Sequence, residues 1–177
     1  LDGIEQIIEF THSDVLMGVL PFFHSFGYTG TMWFPLTSGF GVVFHPNPTD
    51  AKTIGELAQQ HRATILISTP TFCGAYARKV PPEHFVTLRY AIVGAEKLRE
   101  PVARAFKERF GVTLLEGYGC TELAPVVSVN TQDFEGGAYR QTGFKPGTVG
   151  HPLPGIAVRT VDPDTGKTLP PGEEGLL

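Results

Sequence analysis

Apolar and polar residues alternate along most of the chain in short runs that switch between two spacings. Ile4, Ile7 and Ile8 have helical spacing, so the opening reads as the end of a helix leading into Thr11-His12-Ser13-Asp14. Residues 15–20 form a continuous apolar run, the pattern of a buried strand. It passes into an aromatic-rich loop, Pro21-Phe22-Phe23-His24-Ser25-Phe26-Gly27. Met32, Trp33 and Leu36 predict a largely buried helix ended near Gly39, and residues 41–45 the next strand, closed by Pro46-Asn47-Pro48. Thr49 or Asp50 is placed to cap a helix whose apolar face is Ile54, Leu57 and Ala58. A β-branched strand over 64–67, a helix over 71–79 and a strand over 88–93 follow. The best-signalled helix has Pro101 in its first turn, Val102, Ala105, Phe106 and Phe110 on one face, and Gly111 just past its end. Residues 112–115 make one more strand.

This alternation predicts an α/β fold with a mostly parallel sheet flanked by helices. In such sheets ligands sit outside the carboxyl ends of the strands. Three successive strands end at Ser68-Thr69-Pro70, Gly94-Ala95-Glu96 and Glu116-Gly117-Tyr118, so all three segments are expected on one rim. The character changes after Glu122. Residues 124–129 are apolar, 131–146 are polar and glycine-rich and are expected to form a flexible loop, and 147–155 are a chain of tight turns. A strand over 156–161, the turn Asp162-Pro163-Asp164-Thr165-Gly166 and a partner ending near Leu169 predict the start of an antiparallel β-subdomain. The organisation expected is therefore an α/β unit over 1–130, the loop over 131–146 and a truncated β-subdomain over 147–177.

With 41% hydrophobic residues among 177, the chain is able to build a substantial core. A net charge of −4 argues against nucleic acid as the main partner, because that binding rests on clustered Lys and Arg. Cys73 and Cys120 are the only cysteines and form no C-x-x-C pair, which excludes a zinc ribbon or a disulfide framework and suits a reducing, cytoplasmic setting. No apolar run approaches the ~20 residues that span a bilayer, and no membrane contact is expected of this stretch. The first residue is Leu, and the chain stops where an apolar strand is expected to start after Gly175, so both ends read as cut from a larger protein.

Chemistry concentrates in Glu116-Gly117-Tyr118-Gly119-Cys120-Thr121-Glu122. Glycines allow close backbone approach or positive φ, an aromatic between them offers a flat face to a base, and a Thr-Glu pair suits a phosphate oxygen and a hard cation. The same seven residues also suit an ordinary strand-to-loop turn with a solvated Glu. By residue type alone His24 reads as a core or capping histidine, and the Phe-rich segment as plain core more often than an apolar pocket. Cys120 has no evident paired base and reads as structural, as does Cys73. His12, His45, His61, His84 and His151 show no metal spacing. No Gly-x-Ser-x-Gly occurs, which argues against a serine α/β-hydrolase.

Four blocks stand in the order and spacing of one family. They are Leu20-Pro21-Phe22-Phe23-His24-Ser25-Phe26-Gly27, Gly94-Ala95-Glu96-Lys97-Leu98, the seven residues from Glu116 to Glu122, and Pro146-Gly147-Thr148-Val149-Gly150 with Pro154-Gly155. Together they resemble the acyl-adenylate-forming enzymes, a superfamily that includes acyl-CoA synthetases. Gly94-Ala95-Glu96-Lys97-Leu98 and the stretch from Thr121 to Asn130 most resemble the acyl-acyl-carrier-protein synthetase part of bifunctional enzymes that also reacylate 2-acylglycerophosphoethanolamine.

The resemblance implies ATP/AMP and Mg²⁺ as cofactors, with a fatty acid and acyl carrier protein or CoA as partners. It implies that Tyr118, with Glu116, Gly117 and Gly119 around it, stacks on adenine opposite a wall of Gly94, Ala95 and Glu96. Thr121 would bond the α-phosphate, Glu122 would hold Mg²⁺, and His24 would sit by the acyl carboxylate, with Phe22, Phe23, Phe26 and Trp33 as apolar lining. The same resemblance leaves open a nucleotide-binding or regulatory module that kept the fold without the reaction.

The family's glycine-rich phosphate loop, its ribose-binding Asp, the hinge and the C-terminal catalytic Lys do not occur in these 177 residues. The chain by itself is therefore expected to show no ATP–pyrophosphate exchange with any fatty acid; clear exchange by the isolated chain would contradict this.

Overall fold

Nearly continuous apolar strands need cover on both faces, and that requirement sets the architecture. The computed structural model describes the whole chain, Leu1–Leu177. Five strands run parallel: β1 (Val15–Gly18), β2 (Gly41–Phe44), β3 (Ile65–Ser68), β4 (Tyr90–Val93) and β5 (Leu114–Gly119). β6 (Val126–Val129) pairs antiparallel with β5. After a small two-stranded hairpin, β7 (Phe134–Gly136) and β8 (Tyr139–Gln141), β9 (His151–Pro152) pairs antiparallel with β6. The seven-stranded sheet has the order β2-β1-β3-β4-β5-β6-β9. β3 and β4, at its centre, are buried at every position, whereas the edge strand β2 is nowhere fully buried.

The helices are α1 (Asp2–Glu5), α2 (Ser25–Gly27), α3 (Phe34–Ser38), α4 (Ala51–Gln60), α5 (Pro70–Lys79) and α6 (Glu100–Phe110). Their ends follow the sequence signals. Asp50 caps α4 by accepting from the Thr53 amide at 3.2 Å, and Thr69 caps α5 from the Phe72 amide at 3.4 Å. Gly111 closes α6 with φ +74°. Two aromatic clusters fill the layers against the sheet. Phe85, Phe106 and Phe110 pack with ring centroids 4.8–6.5 Å apart. Phe10, Phe34 and Tyr90 pack at 4.9–5.7 Å.

Four local expectations change. The segment expected to bury Trp33 and Leu36 leaves them 44% and 65% exposed and buries Thr31, Phe34 and Pro35 instead. A π-helical turn over Tyr28–Trp33 joins α2 to α3, and its wider winding rotates every later residue away from the face a 3.6 period assigns. On α6, Ala105 is exposed and Ala103 half-buried. Residues 131–146, expected as loop alone, contain the β7–β8 hairpin, where Glu135 lies opposite Arg140 and pairs with it at 3.2 Å. No strand forms over 156–161. Only Val161 makes isolated bridges, to Thr168 and Leu176, beside the expected turn in which Asp162 accepts from the Asp164 and Thr165 amides. β9, for its part, joins the main sheet. No helix is long and apolar enough to cross a membrane.

The amino-end edge of the sheet is fastened by a buried ion pair. Asp14, 1% exposed, accepts from the Thr11 amide at 2.8 Å, the Thr64 hydroxyl at 2.6 Å and Arg89 Nη1 at 2.9 Å. These residues stand just before β1, β3 and β4. Burial pushes the Asp14 carboxyl up, but the Thr64, Thr11 and Arg89 contacts together hold it below its ordinary value of 3.8. A depressed folded value means stability that is present above pH ~4 and lost as pH falls through the lowered value. Asp14→Ala strands Arg89, which is only 39% exposed, and is expected to cost about 3 kcal/mol at pH 7. In urea titrations this difference should shrink steadily below pH ~4.

Candidate active site

Strands in parallel sheets deliver their carboxyl ends to one rim, and here that rim carries a cleft of about 380 Å³. Ile67 from β3, Val93 at the end of β4 with Gly94 and Ala95 after it, and residues 117–122 from the end of β5 and the turn beyond line it, together with His24, Ser25 and Phe26 at the start of α2. Of the residues singled out in the sequence, His24, Gly94, Ala95, Gly117, Tyr118, Gly119, Thr121 and Glu122 therefore converge. Glu96 and Glu116 do not reach the cleft. The Glu96 carboxylate accepts from the Thr71 hydroxyl, tying the β4–α6 loop to α5. Glu116, buried in β5, accepts from the Leu98 amide at 2.8 Å and holds the same loop from below.

The seven-residue motif is mostly strand rather than turn. Glu116 to Gly119 continue β5, which pairs with β4 up to Glu116 and with β6 from Gly117, with a bulge between Tyr118 and Gly119. The glycines serve that junction. A Cβ on Gly119 would lie 1.7 Å from the Pro125 carbonyl oxygen, and one on Gly117 2.9 Å from that of Ser128. Closeness to β6, not to a ligand, is what excludes a side chain there. Tyr118, between them, keeps 38% of its surface exposed on the cleft. Ala95, which also lines the cleft, holds φ +68°, a left-handed conformation that costs a non-glycine residue about 1–2 kcal/mol.

His24 is exposed, so of the core and capping readings the structure takes the cap. Its Nδ1 accepts from the Phe26 amide at 3.1 Å, capping α2, and the residue lines the cleft. An accepting Nδ1 puts the neutral ring's proton on Nε2. Of the four aromatics expected as apolar lining, Phe26 alone reaches the cleft, joined there by Gly30, Phe34, Ile67 and Ile92. Phe22 packs edge-on against Phe44 at 5.2 Å, Trp33 stands near Tyr28 at 6.3 Å, and Phe23 is 93% exposed. Cys73 lies in the core, where burial pushes its thiol up to about 12, in keeping with a structural role.

Two residues escaped the sequence reading. Ser25 Oγ lies 3.0 Å from Thr121 Oγ1 and joins segments 96 residues apart; nothing distinguishes it from any helix-opening serine. Asn130, fully buried, donates from Nδ2 to the Glu116 and Thr148 carbonyls at 3.0 and 2.6 Å and accepts from the Lys145 amide at 3.0 Å. A lone amide ending an apolar run was the available signal.

The donor set fits a nucleotide with a hard cation. Glu122 is a single exposed carboxylate beside the Thr121 hydroxyl, and no three His, Cys, Asp or Glu residues gather as an all-protein metal cage. That composition suits Mg²⁺, which keeps waters and takes phosphate oxygens alongside one or two carboxylates.

Residues 2–177 match the family model described as AMP-binding enzyme. The chain belongs to the AMP-binding enzyme family. Among curated members of that family, p-hydroxybenzoic acid–AMP ligase FadD22 of Mycobacterium marinum is 28% identical over 96% of this chain and 23% of its own length. The long-chain-fatty-acid–CoA ligase of Bacillus subtilis is 27% identical over 93% of this chain and 28% of its own. The solved structure of ATP-bound MatB from Rhodopseudomonas palustris superposes with a TM-score of 0.84 at 31% identity, covering 98% of this chain and 32% of MatB. This member of the family thus spans about a quarter of the length of the two curated relatives.

Gly119→Ala is expected to break the β5–β6 junction, because a backbone carbonyl cannot yield 1.7 Å. Chemical denaturation should show a loss of at least about 2–3 kcal/mol, at the upper end for overpacking. Unchanged stability would mean that the bulge adapts.

Proposed function

We propose that the chain is the central part of an ATP-dependent acid–thiol ligase. In the full-length protein it would activate a fatty acid as acyl-adenylate and pass the acyl group to the thiol of acyl carrier protein or CoA, in the cytoplasm. The observation that carries this reading is the convergence of Tyr118, Thr121, Glu122 and His24 on one cleft at the carboxyl ends of β3, β4 and β5. The relatives' own descriptions, a fatty acid–CoA ligase and an acid–AMP ligase, support the same reaction class.

Each residue takes the role that the family resemblance implies and that its chemistry allows. The Tyr118 ring stacks on adenine, with Gly94 and Ala95 as the facing wall. Thr121 donates its hydroxyl proton to an α-phosphate oxygen. Glu122 supplies the one protein carboxylate for Mg²⁺, which when bound offsets the repulsion between phosphate oxygens and the incoming carboxylate. His24, its proton on Nε2, orients that carboxylate, and the apolar arm formed by Phe26, Phe34, Ile67 and Ile92 takes the hydrocarbon part of the acid. The carboxylate oxygen attacks the α-phosphorus, the bond to the bridging oxygen breaks, and pyrophosphate leaves. Such transfers depend mainly on positioning and charge neutralisation.

In the full-length enzyme, Glu122→Gln is expected to reduce Mg²⁺-dependent ATP–pyrophosphate exchange by about 100-fold or more, the scale of losing a principal electrostatic contact. Its melting temperature should stay near wild type, since the carboxylate is exposed. Tyr118→Ala should raise the KM for ATP about tenfold, as expected for one lost base stack, with little change in the KM for the acid. Equal effects on both substrates would remove the adenine role, and undiminished exchange by Glu122→Gln would remove the metal role.

A further inference from the structure

We propose that Ser25 is a positioning residue for Thr121: it donates its hydroxyl proton to Thr121 Oγ1 and so commits Thr121's own proton to a phosphate oxygen. This rests on the nucleotide reading of the cleft and adds to it a residue from the opposite wall.

A hydroxyl has one proton to donate and room for two to accept. Ser25 Oγ and Thr121 Oγ1 are 3.0 Å apart, and either is able to donate to the other while no third group competes. Neither hydroxyl has another hydrogen-bond partner in the chain. Thr121 opens the 3₁₀ turn Thr121–Leu123, and its hydroxyl bonds no group of that turn, Ser25 being its one partner. Phosphate oxygens are acceptors only. Once one arrives, Thr121 must donate to it, and Ser25 must then be the donor in the pair. Donation by Ser25 also polarises the Thr121 O–H, because hydrogen bonds in a chain strengthen one another.

The geometry makes Ser25 suited to this. It is the first residue of α2, held in place on one side by the His24 ring, which caps the Phe26 amide at 3.1 Å. It is half-buried, and it lines the cleft together with Thr121. The turn that presents His24 to the acid therefore also sets the proton of the residue facing the nucleotide, 96 positions later in sequence.

The test is steady-state ATP–pyrophosphate exchange in the full-length enzyme. Ser25→Ala should lower kcat/KM for ATP about tenfold, the scale of one hydrogen bond serving a charged acceptor, with the KM for the acid unchanged. Ser25→Thr, which keeps the hydroxyl, should restore most of the loss. In a Thr121→Ala background the Ser25→Ala effect should vanish, as coupled partners require. Wild-type kcat/KM in Ser25→Ala, no recovery in Ser25→Thr, or an undiminished effect in the Thr121→Ala background would each overturn the proposal. Should Ser25→Ala lower the melting temperature, Ser25→Cys, nearly the same shape with a weak donor, replaces it, and wild-type kcat/KM there overturns the proposal equally. Thr121→Ala alone at wild-type rate would instead overturn the nucleotide reading on which this one stands.

Discussion

The structure turns on the junction where β5 leaves β4 and takes β6 as its partner. At that point the Glu116 carbonyl accepts from both the backbone amide and the side-chain amide of Asn130, each at 3.0 Å. The Glu116 carboxylate reaches the other way, to the Leu98 amide, and Asn130 Oδ1 receives the Lys145 amide. One buried carboxylate and one buried carboxamide thus tie together the loop after β4, the end of β6 and the turns before β9. Buried polar groups are costly when unpartnered and rigidifying when satisfied, so this network fixes the rim from which Tyr118, Thr121 and Glu122 project. The glycines beside it follow from the same constraint, since β6 lies too close for any side chain at Gly119.

The two edges of the sheet divide the work. At the amino ends of β1, β3 and β4, Asp14, Thr64 and Arg89 are spent on one another. At the carboxyl ends the polar groups that line the cleft stay largely unpaired and exposed: Glu122 has no partner in the chain, and Thr121 has only Ser25. A sheet fastened by its own side chains at one edge is able to leave the other edge free for a ligand. The Ala95 backbone, strained at φ +68°, lies on that free edge, as strain at ligand sites commonly does.

Between the edges, the segment after β1 serves both substrates of the proposed reaction. His24 caps the helix it begins, Ser25 crosses to Thr121, and Phe26 turns inward, its ring meeting the positions that a Cβ on Gly30 or Gly94 would occupy. The π-helical turn that follows changes which residues face inward, so Trp33 and Leu36 stand in solvent and Phe34 seals the core.

Much was legible in the sequence because it is encoded locally. Apolar runs, the cap Asp50 and the terminating Gly111 each act through near neighbours, and with them came the alternation of strands and helices and the shared rim of the segments after β4 and at the end of β5, whereas the place of His24 came from the family resemblance. What was not legible depends on contacts between distant segments. Whether a carboxylate faces a ligand or a backbone amide is decided by what packs beside it, and so Glu116 and Glu96 turn out to hold a loop. A π-helical turn shifts the face of a helix without any break in hydrophobic pattern, and over 156–161 pairing is confined to the end of the segment, at Thr160 and Val161, so no strand forms. Ser25 and Asn130 carry no mark at their own positions; their importance comes from partners 96 and 14 residues away, which only the folded chain brings within reach.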